Sequence, residues 1–164
     1  MIRSLLLLFF FSFIAAEPRE GVDYVLIPEG LVKENGVTEV FWYGCPACFA
    51  YEEVLDEIRE RRPDVKIDLI PLWDEPTAKT YYTIKSLGLE EEAHRKVFED
   101  WQLQRKTFRN EKDIRSFAKR HGYNEEIFAK TFNSFGVQVK ARNAINTPRK
   151  FVNSGVEFSG TPTT

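Results

Sequence analysis

The stretch Glu39-Val40-Phe41-Trp42-Tyr43-Gly44-Cys45-Pro46-Ala47-Cys48 decides how this sequence folds. Val37 to Tyr43 is rich in β-branched and aromatic residues, which predicts a strand. The run is mostly apolar instead of alternating, as expected for a strand covered on both faces. Gly44 breaks it. Pro46 then suits the first position of a helix, where its missing N–H is no loss. Phe49, Val54, Leu55 and Ile58 extend an apolar stripe at helical spacing, and Arg59, Arg61 and Arg62 suit the negative end of the helix dipole. Pro63 stops the helix. Val65, Ile67 and Leu69 alternate with Lys66 and Asp68 as the next strand, closed by Pro71. Strand, helix and strand at these lengths make a βαβ unit with parallel strands.

Upstream, Tyr24 to Ile27 is a short strand candidate. Downstream, strand patterns vanish from residue 76 to about residue 152. Helices are expected over Thr77–Leu87, Glu90–Lys106 and from Asn110 to Arg120. Another follows Asn124, and a last one begins near Phe135, with Pro148 ending or kinking it. Val156 to Phe158 then restarts a strand ahead of Gly160-Thr161-Pro162. The organisation read from this is a leader at 1–16, a first α/β part at 17–75, an inserted all-helical domain at 76–152, and the start of a second α/β part at 153–164.

The chain has 164 residues, 43% of them hydrophobic and 14% aromatic, and a net charge of −2. Charges of both signs are interspersed, and no basic patch marks a nucleic-acid partner. Arg3, the apolar run from Leu5 to Phe13 and the small residues Ala15 and Ala16 read as a secretory signal. That run is shorter than the about 20 residues a membrane span needs. Export leads to an oxidising compartment. Yet the two Cys of the chain sit in one Cys-x-x-Cys. Closing so short a loop stabilises little, so a structural staple is a poor reading of the pair. Zinc would need two more ligands, and His94 and His121 sit apart in the helical block, where surface or helix-end positions are expected. No metal and no cofactor are expected. A sulfur at the start of a helix, by contrast, meets free N–H groups and a dipole that favour a thiolate. Cys45 is therefore the candidate nucleophile and Cys48 the resolving thiol.

The segment from Glu39 to Cys48, continued by Phe49-Ala50-Tyr51-Glu52-Glu53-Val54-Leu55, resembles the active-site segment of the DsbA family of bacterial periplasmic disulfide oxidases. The helical block ahead of Gly160-Thr161-Pro162-Thr163 is similar to that family's inserted domain. The resemblance covers roughly residues 22 to 164. It implies a thioredoxin-like fold with a helical insertion and transfer of a disulfide to cysteine-containing exported proteins in the periplasm; the short lead between Ala16 and the first strand candidate, without the dimerisation segment of the isomerases, favours a monomer. It also implies reoxidation by a DsbB-like membrane quinone reductase. Thr161–Pro162 is implied to be a cis bond facing the dithiol, so that Thr161 and Pro162, with Pro46 and Ala47, contact substrate. Glu39, six residues before Cys45, is implied to be a buried acid that exchanges a proton with Cys48. Glu52 also matches a family position near the active-site helix, but a plain solvated helix face is the reading adopted for it.

Two departures stand out. The family carries His where this chain has Ala47, which predicts a less stabilised thiolate and a weaker oxidant. The thioredoxin-like fold also continues past its cis-proline with strands and a helix. Their absence after Thr164 reads as a C-terminally partial sequence. A reductase or isomerase on the same fold, or a non-catalytic peptide-binding or chaperone remnant, are the alternative readings.

Overall fold

The structure, a computed structural model, describes residues 17–32 and 36–164. The leader read at residues 1–16 lies outside the described residues. Two parallel strands form the sheet, β1 at Gly36–Phe41 and β2 at Lys66–Pro71, with Glu39 opposite Leu69. Between them runs α1, Pro46–Arg61. Pro46 sits in its first turn, Arg59 and Arg61 in its last, and the Arg62 N–H closes it on the Ile58 carbonyl. Its buried residues are Cys48, Glu52 and Leu55, one face at i, i+4 and i+7. The stripe drawn from sequence is partly wrong, since Val54 is exposed.

Six helices follow: α2 Glu75–Ser86, α3 Glu90–Gln102, α4 Glu111–Arg120, α5 Glu125–Phe132, α6 Phe135–Ile145 and α7 Thr147–Asn153. Side chains of Asp74, Asn110, Asn124 and Ser134 cap α2, α4, α5 and α6 in turn, each accepting from the N–H three residues on. Such a cap satisfies a donor that the helix itself leaves free. Replacing Asn110, whose Oδ1 accepts from the Asp113 N–H at 3.2 Å, with alanine is expected to cost about 1 kcal/mol in urea denaturation. α3 stops at Gln102, short of the expected Lys106. Arg105 takes a left-handed φ of 55° and the Lys106 N–H turns back to the Asp100 carbonyl at 2.8 Å. Pro148 falls in the first turn of α7. It therefore starts a new helix after α6 has ended at Ile145.

One core joins sheet and helices. Phe41 meets Tyr43, Tyr81 and His94 edge-on, at 5.1, 5.4 and 5.0 Å between ring centres. Leu55 of α1, Leu69 of β2, Ile84, Val97 and Phe98 belong to the same buried cluster. The architecture is mixed α/β, a βαβ unit onto which the following helices pack.

Two expected strands do not form. Tyr24 to Ile27 is irregular, with Val25 and Leu26 exposed, and a single bridge joins Glu20 to Tyr24. Val156 to Phe158 is likewise irregular. Apolar and β-branched composition gives a segment strand propensity, but a strand also needs a neighbour for its N–H and C=O groups. The pairing instead falls at Thr163, whose N–H and C=O exchange hydrogen bonds with Val40 at 3.1 and 2.7 Å.

Candidate active site

The end of β1 delivers the dithiol to the first turn of α1. Cys45 is the N-cap of the helix, with φ −92° and ψ 113°. Its N–H donates to the Trp42 carbonyl at 2.9 Å, and its Sγ accepts from the Cys48 N–H at 3.3 Å. Gly44 is required by contact. A Cβ there would sit 2.4 Å from the Trp42 ring, closer than nonbonded carbons approach. Cys45 is part-exposed and Cys48 fully buried, and both are free thiols.

Burial pushes the Cys45 thiol up, but hydrogen bonds from the Cys48 thiol and from the backbone N–H groups of Cys48 and Ala47 outweigh it, and the net shift is down. For Cys48, burial and the bond to Cys45 act together and raise it to about 12. The pair is therefore asymmetric: one sulfur accessible and easily ionised, the other enclosed and held protonated.

Thr161 and Pro162 lie against this pair. The bond between them is cis, and the Cys45 thiol donates to the Thr161 carbonyl at 3.4 Å. Thr163 on β1 holds the segment in place. Trp73 adds to the rim: its indole N–H donates to the Thr161 hydroxyl at 3.4 Å, and its φ is 72°. Trp42 donates to Asp74 at 2.8 Å and packs on Trp101. Pro46 and Ala47 are exposed beside Cys45. Of the seven residues singled out from sequence, Pro46, Ala47, Thr161 and Pro162 surround the part-exposed Cys45, while Cys48 and Glu39 are buried.

Glu39 is fully buried, and neither carboxyl oxygen has a hydrogen-bond partner. Burial, reinforced by the Glu52 charge, raises its pKa from 4.5 to about 8. The reading of Glu52 as solvated is wrong. It is buried, and its Oε1 lies 3.2 Å from His94 Nε2. His94, expected at the surface, is buried too, and its Nδ1 meets the Tyr43 hydroxyl at 2.7 Å. Both positions had a signal. Glu52 lies four residues past Cys48, on the same helix face, and His94 shares the face of Val97 and Phe98. His121 does sit at a helix end, the C-cap of α4, near Asp100 at 3.2 Å. Among the described residues no three His, Cys, Asp or Glu side chains converge to hold a metal, and no helix is long and apolar enough to cross a membrane.

A helix-capping, part-exposed thiol, a buried partner three residues on and a facing cis-proline together define a thioredoxin-fold thiol–disulfide oxidoreductase. The comparisons with known proteins narrow this. The chain is 34% identical to the thiol:disulfide interchange protein DsbA of Pseudomonas syringae pv. tomato, over 95% of this chain and 75% of that protein. The crystal structure of DsbA from Xylella fastidiosa superposes with a TM-score of 0.72 at 26% identity, over 89% of this chain and 82% of that one. That of Pseudomonas aeruginosa DsbA gives 0.68 at 27% identity, over 80% and 69%. No family model matches the chain. The chain belongs to the DsbA family and is a protein disulfide oxidoreductase.

Proposed function

We propose that this protein donates its Cys45–Cys48 disulfide to cysteine-containing proteins newly exported to the periplasm. A substrate thiolate attacks Cys45 Sγ, the Cys45–Cys48 bond breaks, and Cys48 leaves and takes up a proton. The second substrate thiolate then attacks the substrate sulfur of the mixed disulfide. Cys45 leaves as a thiolate, the substrate is oxidised and the protein is reduced by two electrons. A DsbB-like membrane quinone reductase would remove those electrons again. The observation that carries this reading is the asymmetry of the pair. Cys45 is an accessible sulfur on a helix cap and so a good leaving group, while Cys48 is enclosed with a pKa near 12.

Roles for the remaining residues follow from position. Glu39, protonated at neutral pH, supplies the proton that Cys48 needs as it leaves, and accepts one when the dithiol is reoxidised. Thr161 and Pro162, with Pro46 and Ala47, border the sulfur that substrate must reach. A substrate in extended conformation would pair with the backbone at Thr161 by strand addition. The chain acts as a monomer, without a bound cofactor.

The reduction potential tests the direction. A DsbA dithiol has about −120 mV, because its reduced form is stabilised, and thioredoxin about −270 mV. With Ala47 between Pro46 and Cys48, a glutathione titration is expected to return a value below about −120 mV but well above about −270 mV. A value near the lower figure would overturn the donor role in favour of a reductant. The A47H variant is expected to rise by about 30–60 mV. One hydrogen bond to a charged group supplies roughly 1.5–3 kcal/mol, and about 1.4 kcal/mol corresponds to about 30 mV.

A further inference from the structure

The turn from β2 into α2 carries an outward tryptophan. Leu72, before it, is fully buried, and its N–H continues the sheet to the Phe41 carbonyl at 2.8 Å. The Asp74 N–H then folds back to the Leu72 carbonyl at 3.1 Å. Asp74 is fixed on its own account. One carboxyl oxygen caps α2 at the Thr77 N–H, at 2.8 Å, and the other accepts from the Trp42 indole, also at 2.8 Å. Trp73 is thus the middle of a three-residue turn, at φ 72°. Of the two mirror forms of that turn this is the strained one, and the left-handed region disfavours a bulky residue.

Packing does not offset this strain. The Trp73 side chain is 57% exposed. Its indole N–H reaches the Thr161 hydroxyl, but at 3.4 Å and at the surface, where such a bond adds little. What the turn does secure is position. Thr161 is the residue whose carbonyl meets the Cys45 thiol at 3.4 Å. A rigidly held aromatic ring therefore stands beside the reactive sulfur, on the side of the Thr161 hydroxyl. Rings of this kind anchor partners, because they bury apolar area while losing little side-chain entropy. The acids of this segment are engaged elsewhere: both Asp74 oxygens as above, and Glu75 with Arg142 at 3.6 Å. Strain kept at the rim of a reactive centre points to function.

We propose that Trp73 is a specificity-determining residue, whose indole receives an apolar side chain of the substrate polypeptide close to the reacting cysteine. In a strand added along Thr161, the residue opposite projects on the same face as the Thr161 side chain, and Trp73 stands on that face. At a rise of about 3.4 Å per residue, this position lies within about two residues of the cysteine that joins Cys45. The substrate class selected is a chain whose cysteine is flanked by an aliphatic or aromatic residue. Such a flank is accessible while a chain is unfolded and buried once it has folded, so the contact favours unfolded substrates. This rests on the substrate pairing at Thr161 given above, and the experiment separates it from the direction of transfer.

Peptides with a pair of cysteines are compared that carry either leucine or serine at each position within about two residues of a cysteine in turn. Exchange with the full chain is measured in both directions: oxidised protein with the dithiol peptides, and reduced protein with the same peptides as disulfides. At the position facing Trp73, the parent is expected to prefer leucine by about tenfold in kcat/KM, carried by KM. In W73G the preference should shrink to about twofold or less, with the serine peptide turned over as by the parent. Glycine suits a φ of 72°, so the urea midpoint of W73G should not fall. W73F keeps a ring but loses the N–H, and is expected to retain most of the preference. Equal loss on both peptides in W73G, or a W73F that behaves as W73G does, would mean that Trp73 only holds Thr161 in place, and overturns the inference. So does a parent without preference at any position, or an unchanged preference in W73G. A leucine preference seen only with the peptide disulfides would sink the donor role and leave that of Trp73 standing.

Discussion

C45S is expected to lose disulfide donation to a reduced model peptide by a factor on the order of 10³ or more, equivalent to about 4 kcal/mol of barrier. The hydroxyl of serine cannot form the disulfide, and it does not ionise near neutral pH as a thiolate does. The chain's other sulfhydryl, Cys48, offers no substitute: it is fully buried and its pKa is near 12. The fold should survive, since Cys45 is part-exposed and its hydrogen bond from the Cys48 N–H can be accepted by an alcohol oxygen. Oxidation of the peptide is followed by fluorescence, and binding of an alkylated copy of the same peptide is followed in parallel. Lost turnover with binding retained separates an enzyme from a peptide-binding protein. Turnover at the parental level in C45S would remove the dithiol from the mechanism.

What could be read in advance was what local pattern controls. The helix start at Pro46, the caps at Asn110 and Asn124 and the parallel βαβ unit are set by residues within a few positions of one another, and each is present. Cys45 and Cys48 were legible for the same reason, because the turn between β1 and α1 dictates their chemistry. The misreadings concern pairing at a distance. Tyr24 to Ile27 has the composition of a strand, but a sheet edge must accept it. Val156 to Phe158 fails in the same way, and the contact with β1 slips to Thr163. Glu52 and His94 were taken for surface residues because their charge and polarity outweighed their spacing. The core holds them because each satisfies the other, a partnership across 42 positions that no window of helical periodicity contains.

Replacing Glu39 with leucine is expected to stabilise the reduced protein, and increasingly so as pH rises. The Glu39 carboxyl has a higher pKa when folded, about 8, than its ordinary 4.5. Between those values the native state binds a proton that the unfolded state has released, so this group makes stability fall as pH rises. Its contribution is intact below 4.5 and fully lost above about 8. At about 1.36 kcal/mol per unit the interval amounts to at most about 5 kcal/mol, reached only if the buried carboxylate finds no relief from solvent. Cys45 works in the opposite sense, because its pKa is lowered on folding, and the hydrogen bonds that lower it are present in both proteins. Urea denaturation of parent and E39L at pH 4.5, 7 and 9 should give a gap that widens at each step. Under the proton-donor role proposed for Glu39, donation to peptide at pH 7 should fall at the same time. A gap independent of pH would mean that the Glu39 carboxyl is solvated when ionised. The buried acid would then be no proton store for the dithiol.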